Sequence, residues 1–122
     1  PVAWAMTQNN LANALRNQAA RVAGEAGAAL LADAVTAYRA ALEVRTRADH
    51  PVDWAMTQEN LAIALRDMAD HMPGEAAAHL SAARPLVCGA LEVFDPAHMP
   101  FNHNKAKKRL ADIDARIAAL GE

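Results

Sequence analysis

The chain has 122 residues, of which 53% are hydrophobic and only 4% aromatic, and its formal net charge is −2. This length fits a single domain, and the alanine-rich composition favours helix over strand. The near-neutral charge gives no sign of a nucleic-acid or membrane partner. The only cysteine, Cys88, excludes an internal disulfide framework and a cysteine-rich metal site. Because neither a spanning apolar run nor a signal segment is visible, we expect a cytoplasmic protein.

The sequence contains an internal duplication. Residues 1–22 recur as residues 51–72 with most positions identical at an offset of 50, and residues 41–44 recur as residues 90–93 at an offset of 49. Repeats of this length are typical of stacked helical architectures. We therefore divide the chain into repeat one (residues 1–50), repeat two (51–95) and a C-terminal capping helix (96–122). Because the chain begins at Pro1, we expect it to be a fragment of a longer array.

Each repeat is predicted to form two helices. The first begins near Val2 in repeat one and near Val52 in repeat two, with apolar residues at helical spacing along one side. Asp49 or His50 is expected to cap the helix that begins at Pro51. Gly24 and residues 73–74 (Pro-Gly) mark the breaks between the two helices of each repeat.

The C-terminal part of the chain carries two further helix signals. Pro85 falls inside the fourth predicted helix, so we expect a kink or an interruption near Ala83. A fifth helix is predicted from Asn102 to Leu120, with Asn102 as its cap. One side of this helix is apolar and the rest is polar or small, which is what a terminal cap of a stacked array needs.

The spacing of small and apolar residues resembles the tetratricopeptide repeat (TPR). Residues 11–15 (Leu-Ala-x2-Leu), residues 61–65 and residues 34–42 (Ala-x3-Tyr-x2-Ala-Leu) fit blocks of that pattern. Residues 41–65 are similar to the kinesin light chain-type repeats. The resemblance implies an all-α fold, an α-α superhelix of about five helices in stacked antiparallel pairs. The unit exceeds the usual length of about 34 residues, and we expect longer helices to accommodate the extra residues.

The resemblance also implies a binding surface, since the first helices of successive TPR units line a concave groove. A helical wheel assigns one polar sector of each first helix to that groove. The sector of the first helix contains Met6, Asn9, Asn10, Asn13, Arg16 and Asn17, and that of the third contains Met56, Glu59, Asn60, Ile63, Arg66 and Asp67. Family members use asparagine just before the Leu-small pair to hold a peptide, which implies this role for Asn10 and Asn60.

The chemistry of these side chains suits a peptide partner. Asparagine amides can pair with the backbone of an extended peptide, whatever its sequence. Arg16 and Arg66 could bind an acidic residue or a C-terminal carboxylate. The alternative is that these asparagines and arginines simply form a solvated helix face.

The remaining reactive or charged residues show no catalytic or metal-binding pattern. The histidines are not spaced as metal ligands, and Cys88 is expected to be a small buried hydrophobe. The basic residues Lys105, Lys107, Lys108 and Arg109 could touch phosphates, but a solvated cap is the simpler interpretation. We therefore expect neither a cofactor nor a metal.

Two hypotheses of different classes follow from these patterns. The first is a non-catalytic protein–protein interaction module that binds a peptide or helical segment of an unidentified protein. The second is a structural spacer or self-association unit of a larger repeat protein, with homo-oligomerisation left open. An enzyme is a remote third interpretation.

Overall fold

The computed structural model describes residues 1–121, which are helical throughout apart from short connections and contain no strand. The prediction of an all-α fold is confirmed. The five helices are α1 (Val2–Ala19), α2 (Gly24–Leu42), α3 (Pro51–His71), α4 (Ala76–Val93) and α5 (Pro100–Leu120), with a 3₁₀ turn at Pro73–Glu75 before α4. No helix within residues 1–121 is sufficiently long and apolar to cross a membrane.

The extra residues of repeat one lengthen its helices, as expected. Only residues 20–23 separate α1 from α2, so almost all of the additional length is helical. Gly24 begins α2 with a φ of +68°, in the left-handed region that glycine adopts without steric cost. A glycine at this position therefore allows the chain to turn sharply from one long helix into the next.

The five helices form one packed unit with two layers, α1, α3 and α5 in one layer and α2 and α4 in the other. Each helix packs mainly against its neighbours in the chain, so that α2 lies against both α1 and α3, and α4 lies against both α3 and α5. The side chains of Asn9 and Thr57 approach each other near the starts of α1 and α3, while His71 reaches Ala19 near their ends. Helices α1 and α3 are therefore parallel.

Helix α5 continues the same arrangement. Arg109 pairs with Glu59, and seven residues later Arg116 pairs with Asp70 in the last turn of α3. The order of these contacts along both helices shows that α5 is parallel to α3. Helices α1, α3 and α5 thus lie side by side, with α2 and α4 behind them.

Small residues allow the helices to approach closely. Two helical turns span about seven residues, so residues at this spacing share one side of a helix. Along one stripe of each of α1 to α4, the buried residue at every seventh position is alanine or glycine: Ala5, Ala12 and Ala19; Gly27, Ala34 and Ala41; Ala55, Ala62 and Ala69; Ala76, Ala83 and Ala90. At Gly27 an added Cβ would lie 2.4 Å from the His71 ring of α3 and 2.1 Å from the Val22 carbonyl oxygen in the loop before α2.

Larger side chains fill the space between these stripes. The largest ones that are fully buried are Tyr38, Phe94, Leu31, Ile113, Val87 and Thr57. Arg45 and Phe94 occupy equivalent positions at an offset of 49, and both are buried. The guanidinium of Arg45 donates to the Thr57 hydroxyl at 3.4 Å, whereas the equivalent of Thr57 beside Phe94 is the buried Ala106. A polar pair at the first repeat junction is thus replaced by an apolar pair at the second.

One expected helix start and one expected helix cap differ from the structure. Helix α5 begins at Pro100 and not at Asn102, because proline fits the first turn of a helix, where its missing N–H costs nothing. His50 is the residue before α3, but no side chain caps that helix. The carboxylate of Asp49 instead accepts a hydrogen bond from the Thr46 hydroxyl within the preceding loop, at 3.4 Å.

Of the kink or interruption expected near Ala83, the interruption is wrong. Helix α4 runs without a break from Ala76 to Val93, with Pro85 inside it. Pro85 and Ser81 are exposed, while Ala83 and Val87 are buried on the opposite side of the helix. The Ser81 carbonyl, which would accept the missing hydrogen bond, therefore lies on the exposed side, where water can satisfy it.

Candidate functional site

The surface of α1, α3 and α5 that points away from α2 and α4 is named here the three-helix face. Offsets of 50 and 49 relate the three helices, so equivalent residues form rows across this face. From the helix starts towards their ends, the rows are Met6, Met56 and Lys105; Asn10, Asn60 and Arg109; Asn13, Ile63 and Asp112; and Asn17, Asp67 and Arg116. Steps of three or four residues keep all of them on one side of each helix.

The α1 part of the face is neutral and rich in amides. Met6, Asn10 and Asn17 are exposed, as predicted for a groove. Asn13 is half-buried, and its side-chain oxygen accepts a hydrogen bond from the Tyr38 hydroxyl of α2. Burial raises the pKa of Tyr38, so the phenol stays protonated and able to donate.

Asn9 lies at the boundary between α1 and α3. It is half-buried, and its side-chain oxygen lies 3.5 Å from the Thr57 hydroxyl. Together with Asn13, it therefore helps to hold helices together. Asn10 and Asn17 are the α1 asparagines that no hydrogen bond within residues 1–121 engages.

The α3 part of the face is only partly accessible. Met56 is about half exposed and Asn60 is half-buried, so both remain open to a partner. Glu59 and Ile63 were predicted as groove residues, but their exposed fractions are only 6% and 8%. Helix α5 causes part of this burial, because the Arg109 guanidinium lies over Glu59 with Nε 3.5 Å from its carboxylate.

The two predicted arginines of the groove are half-buried and differ in their partners. Arg66 forms ion pairs with Asp67 at 3.2 Å and with Asp112 of α5 at 3.5 Å. Arg16 forms no ion pair within residues 1–121, and its buried Nη1 has no hydrogen-bond partner there. Arg16 lines a small cavity of about 150 Å³ together with Asp67 and His71, at the boundary between α1 and α3.

Helix α5 contributes residues that sequence reasoning did not place on the face. They are Lys105, Lys108, Arg109, Asp112 and Arg116. A signal for them exists in the sequence: Pro100 follows Pro51 at an offset of 49, and residues 110–111 (Leu-Ala) repeat residues 11–12 and 61–62. Helix α5 is therefore equivalent in sequence to α1 and α3, the first helices of the two repeats. Its basic residues belong to the same rows as the asparagines of α1 and α3.

Charge changes across the three-helix face. Between α1 and α3 the polar contacts are hydrogen bonds, from the Thr57 hydroxyl to the Asn9 side-chain oxygen and between the His71 ring and the Ala19 carbonyl oxygen. Between α3 and α5 they are ion pairs: Arg109–Glu59 at 3.5 Å, Arg66–Asp112 at 3.5 Å and Arg116–Asp70 at 2.6 Å. A cavity of about 260 Å³ opens in this charged part, lined by Arg66, Lys105, Lys108, Arg109 and Asp112.

Several histidines form structural contacts. His71 lies 3.0 Å from the Asp67 and Val22 carbonyl oxygens, and these hydrogen bonds, with that to Asp67 the strongest cause, raise its pKa. His98 bonds to Asp95 and lowers the pKa of that carboxyl. Within the described part of the chain, no group of three or more potential ligands stands close enough together to hold a metal ion.

The outer edge of α1 is a second accessible surface. Leu11 and Leu61 are equivalent residues, but Leu11 is 49% exposed and Leu61 only 3%. Trp4 is likewise exposed, while its equivalent Trp54 is half-buried. Helix α3 packs against both α2 and α4, whereas α1 packs mainly against α2 alone within residues 1–121.

The molecule thus offers two surfaces to a partner, the three-helix face and the outer edge of α1. The first combines exposed methionines, free amides and a basic cavity, and the second is an apolar helix side. Comparisons of the chain with protein-family models, with curated proteins and with solved structures give no match.

Proposed function

We propose that the protein is a non-catalytic interaction module, a TPR-like superhelix of stacked helix pairs that holds a peptide or helical segment of another protein on its three-helix face. The observation that carries this proposal is the alignment of equivalent side chains in rows across three parallel helices. A partner that crosses from α1 to α3 meets a methionine of each helix in one row and an asparagine of each helix in the next, before it reaches the basic residues of α5. The TPR-like spacing of residues 11–15 and 61–65 supports the same function.

The exposed pair Met6 and Met56 supports an apolar contact with the partner. Both side chains are about half exposed in equivalent positions on neighbouring helices. Methionine is flexible and polarizable, so it adapts to partner side chains of different shapes. Two such residues in one row are suited to anchor an apolar residue of the bound segment.

Asn10 and Asn60 support hydrogen bonds with the partner's backbone. They share one row, and no hydrogen bond within residues 1–121 engages either side chain. Each amide can donate and accept at the same time, and this matches the alternating C=O and N–H groups of an extended peptide. Asn9 and Asn13, by contrast, already hold neighbouring helices together.

A random-peptide display selection on the purified protein tests the proposal. Replacing both Asn10 and Asn60 by alanine removes two hydrogen bonds of about 1 kcal/mol each, so selected peptides should bind about 30-fold more weakly. The matched control is Asn104→Ala, which removes an exposed asparagine from another side of α5. Unchanged affinity in the double variant, or an equal loss in the control, would refute the proposed role of the face.

The outer edge of α1 supports a second candidate function, self-association through α1. We propose a second copy of the chain as the occupant, with the α1 helices of the two copies packed against each other about a two-fold axis. The contrast between Leu11 and Leu61 favours it, because α3 shows that a neighbouring helix covers this side when one is present. A two-fold pairing places each copy's Leu11 and Trp4 in the same interface, so one surface suffices.

Sedimentation at several concentrations tests this second function. The wild-type chain should reach the mass of a dimer as its concentration rises, and Leu11→Glu should keep it monomeric. Leu120→Glu is the matched control, since Leu120 is equally exposed at the far end of the molecule. A wild-type chain that stays monomeric throughout contradicts self-association.

A further inference from the structure

We propose that the cavity between α3 and α5 binds a phosphoryl group, carried by a phosphorylated residue of the segment that lies on the three-helix face. The requirement for such a segment rests on the proposed function. The cavity has a volume of about 260 Å³, and four of its five lining side chains are cationic: Arg66, Lys105, Lys108 and Arg109, with Asp112 as the exception. This concentration of positive charge stands out in a chain whose formal net charge is −2.

The charges of the two arginines are partly neutralised within the fold. Arg66 pairs with Asp67, and Arg109 pairs with Glu59, which is almost completely buried beneath it. The carboxylate of Asp112 is itself held between two cations, Arg66 at 3.5 Å and Arg116 at 3.2 Å. The one acidic residue of the lining therefore opposes an incoming anion only weakly.

No acidic residue of the described chain offsets the charges of the two lysines. Neither Lys105 nor Lys108 forms an ion pair with any residue of the described chain, and the Lys105 ammonium lies 6.0 Å from the centre of the Phe101 ring. Two free ammonium groups at one cavity match the double negative charge of a phosphate monoester. A carboxylate, with one charge, would neutralise only one of them.

The arginines also offer donors that lack acceptors. The Nε atom of Arg66 is buried and has no hydrogen-bond partner within residues 1–121, and the buried Nε of Arg109 lies 3.5 Å from the Glu59 carboxylate without forming a hydrogen bond to it. A buried donor without an acceptor is unfavourable, so a ligand oxygen that accepts from it gains affinity. Phosphoryl oxygens suit this setting, since they accept several hydrogen bonds from guanidinium and ammonium groups together.

The position of the cavity connects it with the rest of the face. Lys105 continues the row of Met6 and Met56, and Arg109 continues the row of Asn10 and Asn60. A segment that crosses α1 and α3 along these rows therefore arrives at the cavity. One phosphorylated side chain at that end of the segment would reach the lysines while the backbone stays on the asparagines.

Inorganic phosphate is the first probe. Titration into the isotope-labelled chain at pH 7.5, with sodium chloride at equal ionic strength as reference, should give saturable NMR shifts of the Nε–H groups of Arg66 and Arg109. Replacing both Lys105 and Lys108 by alanine should weaken this binding at least tenfold. Lys107→Ala is the matched control, because Lys107 lies next to these lysines in sequence but lines a different cavity, with His103 and Leu110. Absence of saturable shifts, or an equal loss in the control, overturns the proposal.

Degenerate peptides distinguish the source of the phosphoryl group. A library with a fixed central phosphoserine should bind at least tenfold more tightly than the same library with serine, and this difference should vanish in the double lysine variant. If the two libraries bind equally while inorganic phosphate still saturates, the cavity serves a free oxyanion and the proposal is wrong. Phosphate binding does not involve Asn10 or Asn60, so failure of the proposed peptide function is recognised separately by the asparagine variants.

Discussion

The Tyr38 hydroxyl donates a hydrogen bond to the side-chain oxygen of Asn13, and this bond connects a fully buried residue of α2 with the three-helix face. Burial raises the pKa of Tyr38, so the donor stays protonated at neutral pH. The equivalent of Tyr38 in repeat two is the buried Val87, which cannot form such a bond. The contact between α1 and α2 therefore contains a hydrogen bond that the equivalent contact between α3 and α4 lacks.

Tyr38→Phe should lower the free energy of unfolding by about 1 kcal/mol, since the ring still packs but the Asn13 oxygen loses its donor. Urea denaturation of Tyr38→Phe, Asn13→Ala and the double variant measures the coupling between the two residues. We expect a coupling energy of about 1 kcal/mol. Fully additive effects would mean that the two side chains do not interact in solution.

The contacts of His71 predict a pH dependence of stability. Both ring nitrogens face carbonyl oxygens, so only the imidazolium form donates from both, and the hydrogen bond to Asp67 is the main cause of the raised pKa. A raised pKa means that the folded state binds the proton more tightly than the unfolded state. The resulting stabilisation is complete below the unfolded pKa of about 6.5 and is lost as the pH rises through the folded pKa.

His71→Ala checks this prediction. The difference in unfolding free energy between the wild type and the variant should be larger at pH 5.5 than at pH 8.5. NMR titration of the His71 ring, in the folded chain and in urea, gives the two pKa values directly. A folded value at or below the unfolded one would show that these carbonyl contacts do not persist in solution.

The equivalent leucines Leu61 and Leu11 provide a matched pair for stability. Leu61→Ala should cost about 2–5 kcal/mol, because it removes a buried side chain and leaves a cavity between α2 and α3. Leu11→Ala should cost less than about 1 kcal/mol in the monomer, since half of that side chain is already in water. Chemical denaturation at low concentration measures both. Equal costs would indicate that Leu11 is covered in solution.

Gly27 and Gly74 provide a second matched pair. A Cβ at Gly27 would lie 2.1 Å from the Val22 carbonyl oxygen and 2.4 Å from the His71 ring, whereas a Cβ at Gly74 meets nothing within 4 Å. Gly27→Ala should therefore lower the unfolding free energy by about 1–3 kcal/mol, although alanine is the better helix former. Gly74→Ala should change it by less than about 0.5 kcal/mol. Thermal unfolding of both variants measures these changes, and equal effects of the two substitutions would contradict the close contact at Gly27.

The helix pairs could be predicted from the sequence because the duplication places the same apolar residues on the same helix side twice. Leu61 lies in the block at residues 61–65 that fits the TPR spacing, and it is buried, although its equivalent Leu11 is half exposed. The start of α5 was missed because Pro100 was not recognised as the equivalent of Pro51. The offset of 49 between Pro51 and Pro100 is enough to extend the rows of the three-helix face to Lys105 and Arg109.

The burial of Glu59 and Ile63 could not be derived in the same way. A helical wheel ranks the sides of one isolated helix, and it contains no information on which neighbour approaches the polar side. Ion pairs such as Arg109–Glu59 join residues far apart in sequence, and no short-range sequence pattern predicts them. The assignment of Asn10 and Asn60 to a binding role stays a prediction.

Alanine supplies more than half of the buried apolar residues of this molecule, most of them on the seven-residue stripes. An alanine side chain has no rotamers to lose, so burying these stripes on folding costs little side-chain entropy. A core of leucine and methionine would cost more. The stripe alanines are also buried, at 7% exposure or less, so a larger side chain at any of them would have to displace its neighbours. Evolution can therefore vary the outward sides of these helices freely, while the stripes tolerate almost no increase in volume.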